Sequence, residues 1–326
     1  MKLSVVIPIY NEHENIDPLQ AQLEDALAGF GDGYEIIYSN DGSRDGSAEA
    51  LDQIADGNPQ VKVIHFRRNF GQTAALMAGF NHASGEIIVA LDGDLQNDPK
   101  DIRRLVEEAD KGFDVVSGWR VDRQEGHRRR LPSRIANWLI SRITGVKLHD
   151  YGCTLKAYRR EILDGVFLYG EMHRFIPALV AWQGGSVTEV PVTHHPRRHG
   201  SSKYGIDRTT RVLLDLFLVS FLGYGLDRPI QFFGRAGVYS VLFAILVGFW
   251  AIYLKYVDGI SFIQTPLPIL VALLLLAALI FFLMGLLAEM QTRIYYEIQD
   301  KRPYIIRGTR NIAVDLTERE RKKTHV

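Results

Sequence analysis

The sequence predicts an α/β protein with a mainly parallel sheet, followed by a membrane-anchored C-terminal part. Three observations support this prediction. Short β-branched runs alternate with helix-length segments over about the first 120 residues. Polar motifs follow several of these runs, and two long uncharged segments lie near the C-terminus. The 326 residues accommodate one large domain, or a medium domain with additional elements.

Alternating strands and helices make up the N-terminal part of the prediction. The predicted strands are Lys2–Tyr10, Tyr34–Asn40, Val61–Phe66, Glu86–Asp92 and Phe113–Gly118. The predicted helices are Asn15–Gly29, Ser47–Ala55, Gly71–Ala83 and Asp101–Lys111. Such alternation favours a mainly parallel sheet with helices on both faces, which binds ligands at the carboxyl ends of its strands.

Two uncharged segments predict a transmembrane hairpin. Ala236–Leu254 contains 19 residues and Pro266–Ala288 contains 23, whereas a membrane-spanning helix needs about 20. Two buried core helices are the alternative, but no core helix needs this length or this density of Leu, Ile and Phe. The connection Tyr256–Thr265 has no Lys or Arg, whereas basic residues flank the outer ends of the hairpin. The positive-inside rule therefore places the N-terminal part and the tail in the cytoplasm.

These features divide the chain into four predicted parts. They are an α/β domain at 1–205, an interfacial segment at 206–230, two transmembrane helices at 231–288 and a cytoplasmic tail at 289–326. Ile206–Tyr224 has the amphipathic pattern of a helix in the membrane interface, although an ordinary packing helix is the alternative. Leu131–Thr144, which carries Trp138, is a second candidate. The single cysteine, Cys153, has no internal partner, which favours a reducing compartment.

Polar motifs follow the first and second predicted strands. Pro8–Glu12 ends the first strand, and Asn40–Ser47 ends the second. A turn followed by a helix cap is one interpretation of the second motif, because Asp, Gly and Ser are common there. Nucleotide binding is the other: Asp41 would hold a base edge or ribose hydroxyls, and Tyr10 or Pro8 would pack on the base.

An acidic motif, Leu91–Gln96, follows the fourth predicted strand. Its carboxylates, Asp92 and Asp94, are two residues apart on a predicted turn and can face the same hard cation. Mg²⁺ or Mn²⁺ takes one or two carboxylates and completes its shell with phosphate oxygens and water. The motif therefore predicts a divalent metal site.

In order and spacing, these motifs resemble the family 2 glycosyltransferases with the GT-A fold. The resemblance extends to Arg67–Gln72, which is similar to the family's Arg-Asn-x-Gly segment. It implies that Asp92 and Asp94 hold the metal and the donor diphosphate. The donor nucleotide is accordingly expected on Pro8, Tyr10, Glu12, Asp41, Asp92 and Gln96.

A basic segment between Gly118 and Lys147 indicates an anionic partner. It contains eight Lys or Arg residues and two Asp or Glu residues, in a chain of zero net charge. Its pattern resembles that of dolichol-phosphate mannose synthases and their bacterial relatives, and implies that the lipid phosphate binds to Arg120, Arg129, Ser133 and Arg134. Arginine donates bidentate hydrogen bonds to phosphate. A generic basic patch attracted to anionic lipid is the alternative.

Two further segments resemble catalytic parts of the family. Asp150–Thr154 is similar to its Asp-x-Gly-Cys segment, and Asp150 is a candidate base. A phosphate monoester is already ionised near neutral pH, with a second pKa of about 6, so Asp150 alternatively orients the sugar or an arginine. Pro196–Tyr204 is similar to a loop that closes over the diphosphate, which implies that Arg197 and Lys203 stabilise the leaving group.

The resemblance implies an inverting transfer from a nucleotide sugar to a polyprenyl phosphate. A UDP-sugar such as UDP-glucose and undecaprenyl phosphate are the expected substrates, because the two-span pattern resembles bacterial glucosyltransferases and aminoarabinose-type transferases. The expected partners are these two substrates and the membrane, with no nucleic acid, and such chains can form homotetramers. A processive polysaccharide synthase and a non-catalytic membrane scaffold are the alternatives, but the Gln-x-x-Arg-Trp motif of the former is absent and the acidic motif and arginines are present.

Overall fold

A computed structural model provides the structure of this chain. The described residues are 2–31, 33–121, 137–138, 140–163, 166, 168, 170, 172–196, 257, 273, 276, 279–280, 283, 286–287, 290–291, 294 and 306–312. The chain divides into two compact units. One comprises Met1–Asp215 with Pro303–Val326, and the other comprises Leu216–Arg302.

The first unit contains one eight-stranded sheet with its helices. The strands are β1 Leu3–Ile9, β2 Tyr34–Asn40, β3 Val61–Phe66, β4 Ile87–Ala90, β5 Val115–Arg120, β6 Lys156–Arg159, β7 Val187–Val192 and β8 Ile306–Arg310. The α-helices are α1 His13–Leu27, α2 Ser47–Gly57, α3 Gln72–His82, α4 Asp101–Asp110, α5 Arg160–Leu163 and α6 Ile176–Trp182. Two 3₁₀ helices, Ala28–Phe30 and Met172–Phe175, complete the elements. The five predicted strands and four predicted helices are all confirmed, with boundaries shifted by a few residues.

The strand order is β7-β5-β6-β4-β1-β2-β3-β8. Strands β1, β2, β3 and β4 pair in parallel, as do β5 and β7. Strand β6 runs antiparallel between β4 and β5, so its first residues lie at the same edge as the last residues of its neighbours. This edge collects the polar motifs.

The core forms where α1 packs on the central strands. Ile16, Leu19, Leu23 and Leu27 recur at helical spacing and are fully buried against the apolar side chains of β1 and β2. Burial of one such side chain contributes about 1.5–3 kcal/mol. The position of each strand end is therefore fixed by a packed apolar layer.

A buried carboxylate ties the strands together at the opposite edge. Glu35 on β2 accepts hydrogen bonds from the Ser4 hydroxyl (2.5 Å) and the Ser84 backbone N–H (2.6 Å), and forms an ion pair with Lys62. Burial acts to raise its pKa, but these contacts outweigh burial and lower the pKa of Glu35 below its usual value.

The chain returns to the first unit near its C-terminus. Strand β8 pairs antiparallel with β3, and Asn311 donates hydrogen bonds from its amide to the carbonyl oxygens of Ala55 (2.7 Å) and Val61 (2.8 Å). The predicted tail at 289–326 thus contains an edge strand that the sequence analysis did not predict.

The predicted membrane elements fall mostly outside the described residues. This applies to the interfacial helix at 206–224, to the first span and to most of the second, of which positions 273, 276, 279–280, 283 and 286–287 are helical. Within the described part of the chain, no helix combines the length and apolar character needed to cross a bilayer. The predicted helix at 131–144 is helical at its described positions, 137–138 and 140–144, and exposes Trp138.

Candidate active site

The candidate site lies where the loops after β1, β2, β3 and β4 meet the beginning of β6. Each loop follows a buried strand, so the sheet fixes where its polar side chains begin. The acidic loop, residues 91–96, starts with a backbone hydrogen bond from Leu91 to the Val6 carbonyl. Ligand-binding residues are therefore supplied from several strands at one edge.

The acidic loop turns sharply against the end of β1. A methyl group in place of the Gly93 hydrogen would lie 2.4 Å from Ile9 Cδ1, so the loop packs closely on the end of β1 and a larger residue would require the Ile9 side chain to move. Leu95 adopts a left-handed conformation with φ 60°, and the Gln96 N–H donates to Asp94 Oδ1 at 3.1 Å. This turn holds Asp94, which is 8% exposed, beside Asp92.

Asp92 is held by contacts from two other segments. Its Oδ1 accepts a hydrogen bond from Gln72 Nε2 at the start of α3 (2.8 Å), and the nearby Thr154 side chain acts to lower its pKa. Burial and the negative charge of Asp94 raise the pKa of Asp92 to about 6. The negative charges of Asp92 and Asp94 repel each other, and a bound divalent cation would offset this repulsion.

The donor set also fits such a cation. Within the described residues, no three His, Cys, Asp or Glu side chains cluster as a closed metal site. Two adjacent carboxylates instead match the open coordination of Mg²⁺ or Mn²⁺, whose other positions are filled by phosphate oxygens and water. Asp92 and Asp94 are the residues that would hold it.

Asp41 connects the end of β2 to the start of α3. Its carboxylate accepts hydrogen bonds from the backbone N–H groups of Phe70 (2.6 Å) and Gly71 (2.9 Å). Asp41 is 3% exposed, and burial raises its pKa despite these bonds and the nearby Arg68. Its first task is therefore structural, since it shapes the 67–72 segment, and each oxygen retains one lone pair for a ligand.

The loop after β1 is bound to the loop after β2. The Asn11 N–H donates to Ser43 Oγ, and the Arg44 N–H donates back to Asn11 Oδ1, both at 2.9 Å. Asp45 accepts from the N–H of His13 (3.0 Å) at the start of α1. The two predicted nucleotide-binding loops thus form one connected surface, on which Pro8, Tyr10 and Glu12 are partly exposed.

Arg120 and Asp150 form a bidentate ion pair beside the acidic loop. Arg120 Nε and Nη2 donate to Asp150 Oδ2 (2.6 Å) and Oδ1 (3.0 Å), and Gly152 N–H donates to Asp150 Oδ1 (3.1 Å). Burial acts to lower the pKa of Arg120, but Asp150 outweighs it and raises that pKa. Of the two predicted roles for Asp150, this contact favours the orientation of an arginine.

Lys156 lies at the start of β6, between Ala90 of β4 and Ser117 of β5. It is 2% exposed, and Nζ donates to the carbonyl oxygens of Tyr151 (3.2 Å) and Cys153. Burial lowers the pKa of Lys156 and raises the pKa of the Cys153 thiol to about 11. Both side chains therefore belong to a buried polar layer beneath the site.

An aromatic pair lies at the end of β5. The rings of Trp119 and His149 stack with centroids 4.3 Å apart, and His149 also contacts Glu189 of β7 through its ring and its backbone N–H. These contacts fix the chain immediately before Asp150.

Several predicted site residues lie outside the described residues. They are the acceptor-phosphate residues Arg129, Ser133 and Arg134 and the loop residues Arg197 and Lys203. The segment before that loop is described: His195 N–H donates to the Gln96 carbonyl (2.8 Å), and His194 forms a β-bridge with Asn97. Residues 194–196 therefore lie against the chain that follows the acidic loop.

Sequence reasoning missed three contributors to the site. Gln72 lies within a quoted motif but had no assigned role, and Thr154 lies two residues before an unpredicted strand. Lys156 is the clearest omission, although a single charge at the start of the apolar run Ala157–Tyr158 could have been noticed. Their roles depend on contacts between distant segments, which periodicity does not reveal.

The fold and the acidic loop define this chain as a glycosyltransferase of the GT-A type. The structure is similar to that of glucosyl-3-phosphoglycerate synthase from Mycobacterium tuberculosis, solved with Mn²⁺, UDP and glucosyl-3-phosphoglycerate. The TM-score is 0.53 at 21% identity, covering 69% of this chain and 80% of that chain. The model of "Glycosyl transferase family 2" matches residues 4–167, and the chain belongs to this family.

Two curated relatives match almost the whole chain. The dodecaprenyl-phosphate galacturonate synthase of Rhizobium johnstonii is 43% identical over 312 residues, which are 94% of this chain and 92% of the relative. The undecaprenyl-phosphate 4-deoxy-4-formamido-L-arabinose transferase of Pseudomonas aeruginosa is 38% identical over 307 residues, covering 93% and 89%. The predicted family is thereby confirmed.

Proposed function

We propose that this protein transfers a sugar from a nucleotide sugar to a polyprenyl phosphate, with inversion at the anomeric carbon. Two relatives with polyprenyl-phosphate activities in their names match over 90% of the chain, which supports this acceptor class. The observation that carries the proposal is the acidic loop beside the Arg120–Asp150 pair at one sheet edge. This arrangement provides a cation site for a diphosphate next to a guanidinium for a second phosphate.

The donor would bind across β1, β2 and β4. Asp92 and Asp94 would hold Mg²⁺ or Mn²⁺, which when bound offsets the negative charge of the donor diphosphate. The Mn²⁺ and UDP named for the structural relative support a divalent cation and a UDP-sugar. The nucleoside would lie on the surface formed by Pro8, Tyr10, Glu12, Asp41 and Gln96.

The acceptor phosphate would bind on the Arg120 side. Asp150 uses Arg120 Nε and one Nη2 N–H, so three guanidinium N–H bonds remain for phosphate. Asp150 would act as a positioning residue that fixes the guanidinium plane, and Arg129, Ser133 and Arg134 would complete the phosphate site.

The reaction would be a single displacement. An oxygen of the lipid phosphate forms a bond to the anomeric carbon while the bond from that carbon to the nucleoside diphosphate breaks, and both electrons leave with the diphosphate. The phosphate monoester has a second pKa of about 6 and needs no general base near neutral pH. Arg197 and Lys203 would stabilise the departing diphosphate.

The lipid acceptor and the two uncharged segments support a membrane location. We place a transmembrane hairpin at 231–288, an interfacial segment at 206–230, and the catalytic domain and tail on the cytoplasmic face. A homotetramer is part of the same proposal and is tested by light scattering in detergent.

A donor screen tests the reaction. Purified full-length protein, undecaprenyl phosphate and Mg²⁺ or Mn²⁺ are incubated with UDP-, GDP- and dTDP-sugars, including UDP-glucose, UDP-galacturonate and UDP-4-deoxy-4-formamido-L-arabinose. Mass spectrometry then identifies lipid products. One sugar per lipid phosphate supports the proposal and identifies the donor. A polymer would favour a processive synthase, and no product from nucleotide-binding protein would contradict transfer to this lipid.

A further inference from the structure

The 150–154 loop connects the two halves of the site. Its first residue, Asp150, holds Arg120, and its last residue, Thr154, lies near Asp92 and acts to lower the pKa of that carboxylate. The shape of this short loop therefore sets the donor-side carboxylate relative to the acceptor-side guanidinium. Displacement of reacting groups by about 1 Å can cost 100-fold in rate, so the loop needs a rigid support.

Lys156 provides that support from below. Its ammonium donates to two carbonyl oxygens of the loop, those of Tyr151 and Cys153. Its Cα is fixed on both sides, because β6 pairs with β4 at Ala90 and with β5 at Ser117. The hydrogen-bond donor that shapes the loop, Lys156, is thus anchored on a strand inside the sheet.

The charge of Lys156 also acts on the site. Its electrostatic neighbours are the Cys153 thiol, Asp150, Arg120 and Asp92. Burial of a lysine is costly unless its charge is compensated, and two backbone carbonyls supply only dipoles. The nearby carboxylates Asp92 and Asp150 favour the charged form of Lys156, whereas burial, the larger effect, lowers its pKa.

We propose that Lys156 is a positioning residue, an internal cation that holds the 150–154 loop in shape and offsets part of the negative charge of the acidic loop. The proposal rests on the proposed function, because its kinetic test requires transfer to lipid phosphate. A second test measures only cation binding and does not require transfer.

The experiment compares the full-length wild type with Lys156→Met, which removes the charge and the donors, and Lys156→Arg, which keeps both. Lys156→Met should raise the KM for lipid phosphate by about tenfold or more, because Arg120 loses its fixed partner. At saturating Mn²⁺, the KM for the nucleotide sugar should change less than about twofold, because Asp41 and the loops after β1 and β2 are held by contacts that do not involve Lys156. Lys156→Arg should restore most of the lipid KM.

A Mn²⁺ titration followed by electron paramagnetic resonance provides the second readout. Loss of a positive charge near Asp92 should lower the Mn²⁺ dissociation constant by about twofold or more, whereas a disordered site would bind Mn²⁺ more weakly. The matched control is Lys62→Met, which removes a lysine from the opposite sheet edge. It should lower the Tm and leave Mn²⁺ affinity unchanged.

Two results would overturn the role of Lys156. One is a Met variant with unchanged lipid KM and unchanged Mn²⁺ affinity. The other is an equal loss of donor, acceptor and Mn²⁺ binding that the Arg variant does not rescue. If the wild type forms no lipid-linked sugar, the proposed function fails, and the Mn²⁺ titration alone still decides whether the charge of Lys156 acts on the acidic pair.

Discussion

The carboxylates of this chain have different roles, which depend on their surroundings. Asp94 faces the loop and Asp92, Asp41 is enclosed by backbone amides, and Glu35 is fully buried at the far edge. Position in the sheet, rather than residue type, therefore decides whether a carboxylate serves a ligand or the fold.

Asp94→Asn is expected to reduce transfer below detection while the protein stays folded. The change removes one negative charge from the two that would hold the cation, and the turn can keep its hydrogen bond from Gln96 to the side-chain carbonyl. Transfer assays and circular dichroism measure the two effects. Normal activity in this variant would contradict the metal assignment.

Because of Glu35, the free energy of unfolding is expected to depend on pH in the acidic range. Its pKa is lower in the folded state, so its stabilisation is fully present above the ordinary value of 4.5 and is lost as the pH falls through the folded value. Glu35→Ala is expected to cost about 1–3 kcal/mol, because it removes the ion pair with Lys62 and leaves the Ser4 hydroxyl and the Ser84 N–H without their acceptor. Urea denaturation between pH 3 and pH 7 measures both effects. A variant with wild-type stability at pH 7 would show that the pair contributes nothing.

At the scale of elements, the shape of the candidate site depends on contacts between the loops that follow neighbouring strands. Gly42 follows β2 with φ 68°, and an added methyl group would lie 2.5 Å from the backbone carbon of Arg68 in the loop after β3. The two loops can meet only because this residue has no side chain.

Gly42→Ala is expected to separate these loops and weaken nucleotide binding. The left-handed backbone alone costs about 1–3 kcal/mol for a residue with a side chain, and the backbone clash adds to it. Gly170→Ala is the matched control, because Gly170 has φ 57° and, among the described residues, no heavy atom would lie within 4 Å of the new methyl group. Calorimetry with UDP should show a loss only in Gly42→Ala. Equal affinities in both variants would contradict the loop contact.

Helices and strands could be predicted from the sequence where the residue composition and the hydrophobic periodicity indicate the same element. Strands β1, β2 and β3 are β-branched runs between clear breakers, and their predicted boundaries are nearly those observed. Strand β6 has only four residues and begins with Lys156, so its position between β4 and β5 is set by tertiary pairing. The acidic loop was predictable because it follows a strand, whereas the Gln72 and Thr154 contacts to Asp92 required the fold.

At the scale of the whole molecule, the sheet separates the two proposed substrates. The proposed donor residues follow β1, β2 and β4, and the Arg120–Asp150 pair joins the end of β5 to the segment that leads into β6. Variants on the two sides should therefore have separable kinetic effects.

Asp150→Asn is expected to raise the KM for lipid phosphate by about tenfold and to leave the KM for the nucleotide sugar nearly unchanged. An amide accepts from Arg120 through one oxygen only, so the guanidinium loses its bidentate partner. Steady-state kinetics with each substrate varied in turn measure this split. A fall in kcat with unchanged KM, together with a lost acidic limb in the pH–rate profile, would instead identify Asp150 as a general base.

The pairing of β8 with β3 has a consequence for biosynthesis. The ribosome completes β3 more than 200 residues before it makes Ile306–Arg310, which cover its outer edge. Until then β3 presents unpaired backbone groups, the kind of edge that promotes wrong strand pairing. The sheet can therefore be completed only after Arg310 has been synthesised, and a nascent chain stalled before residue 306 would carry an open sheet edge.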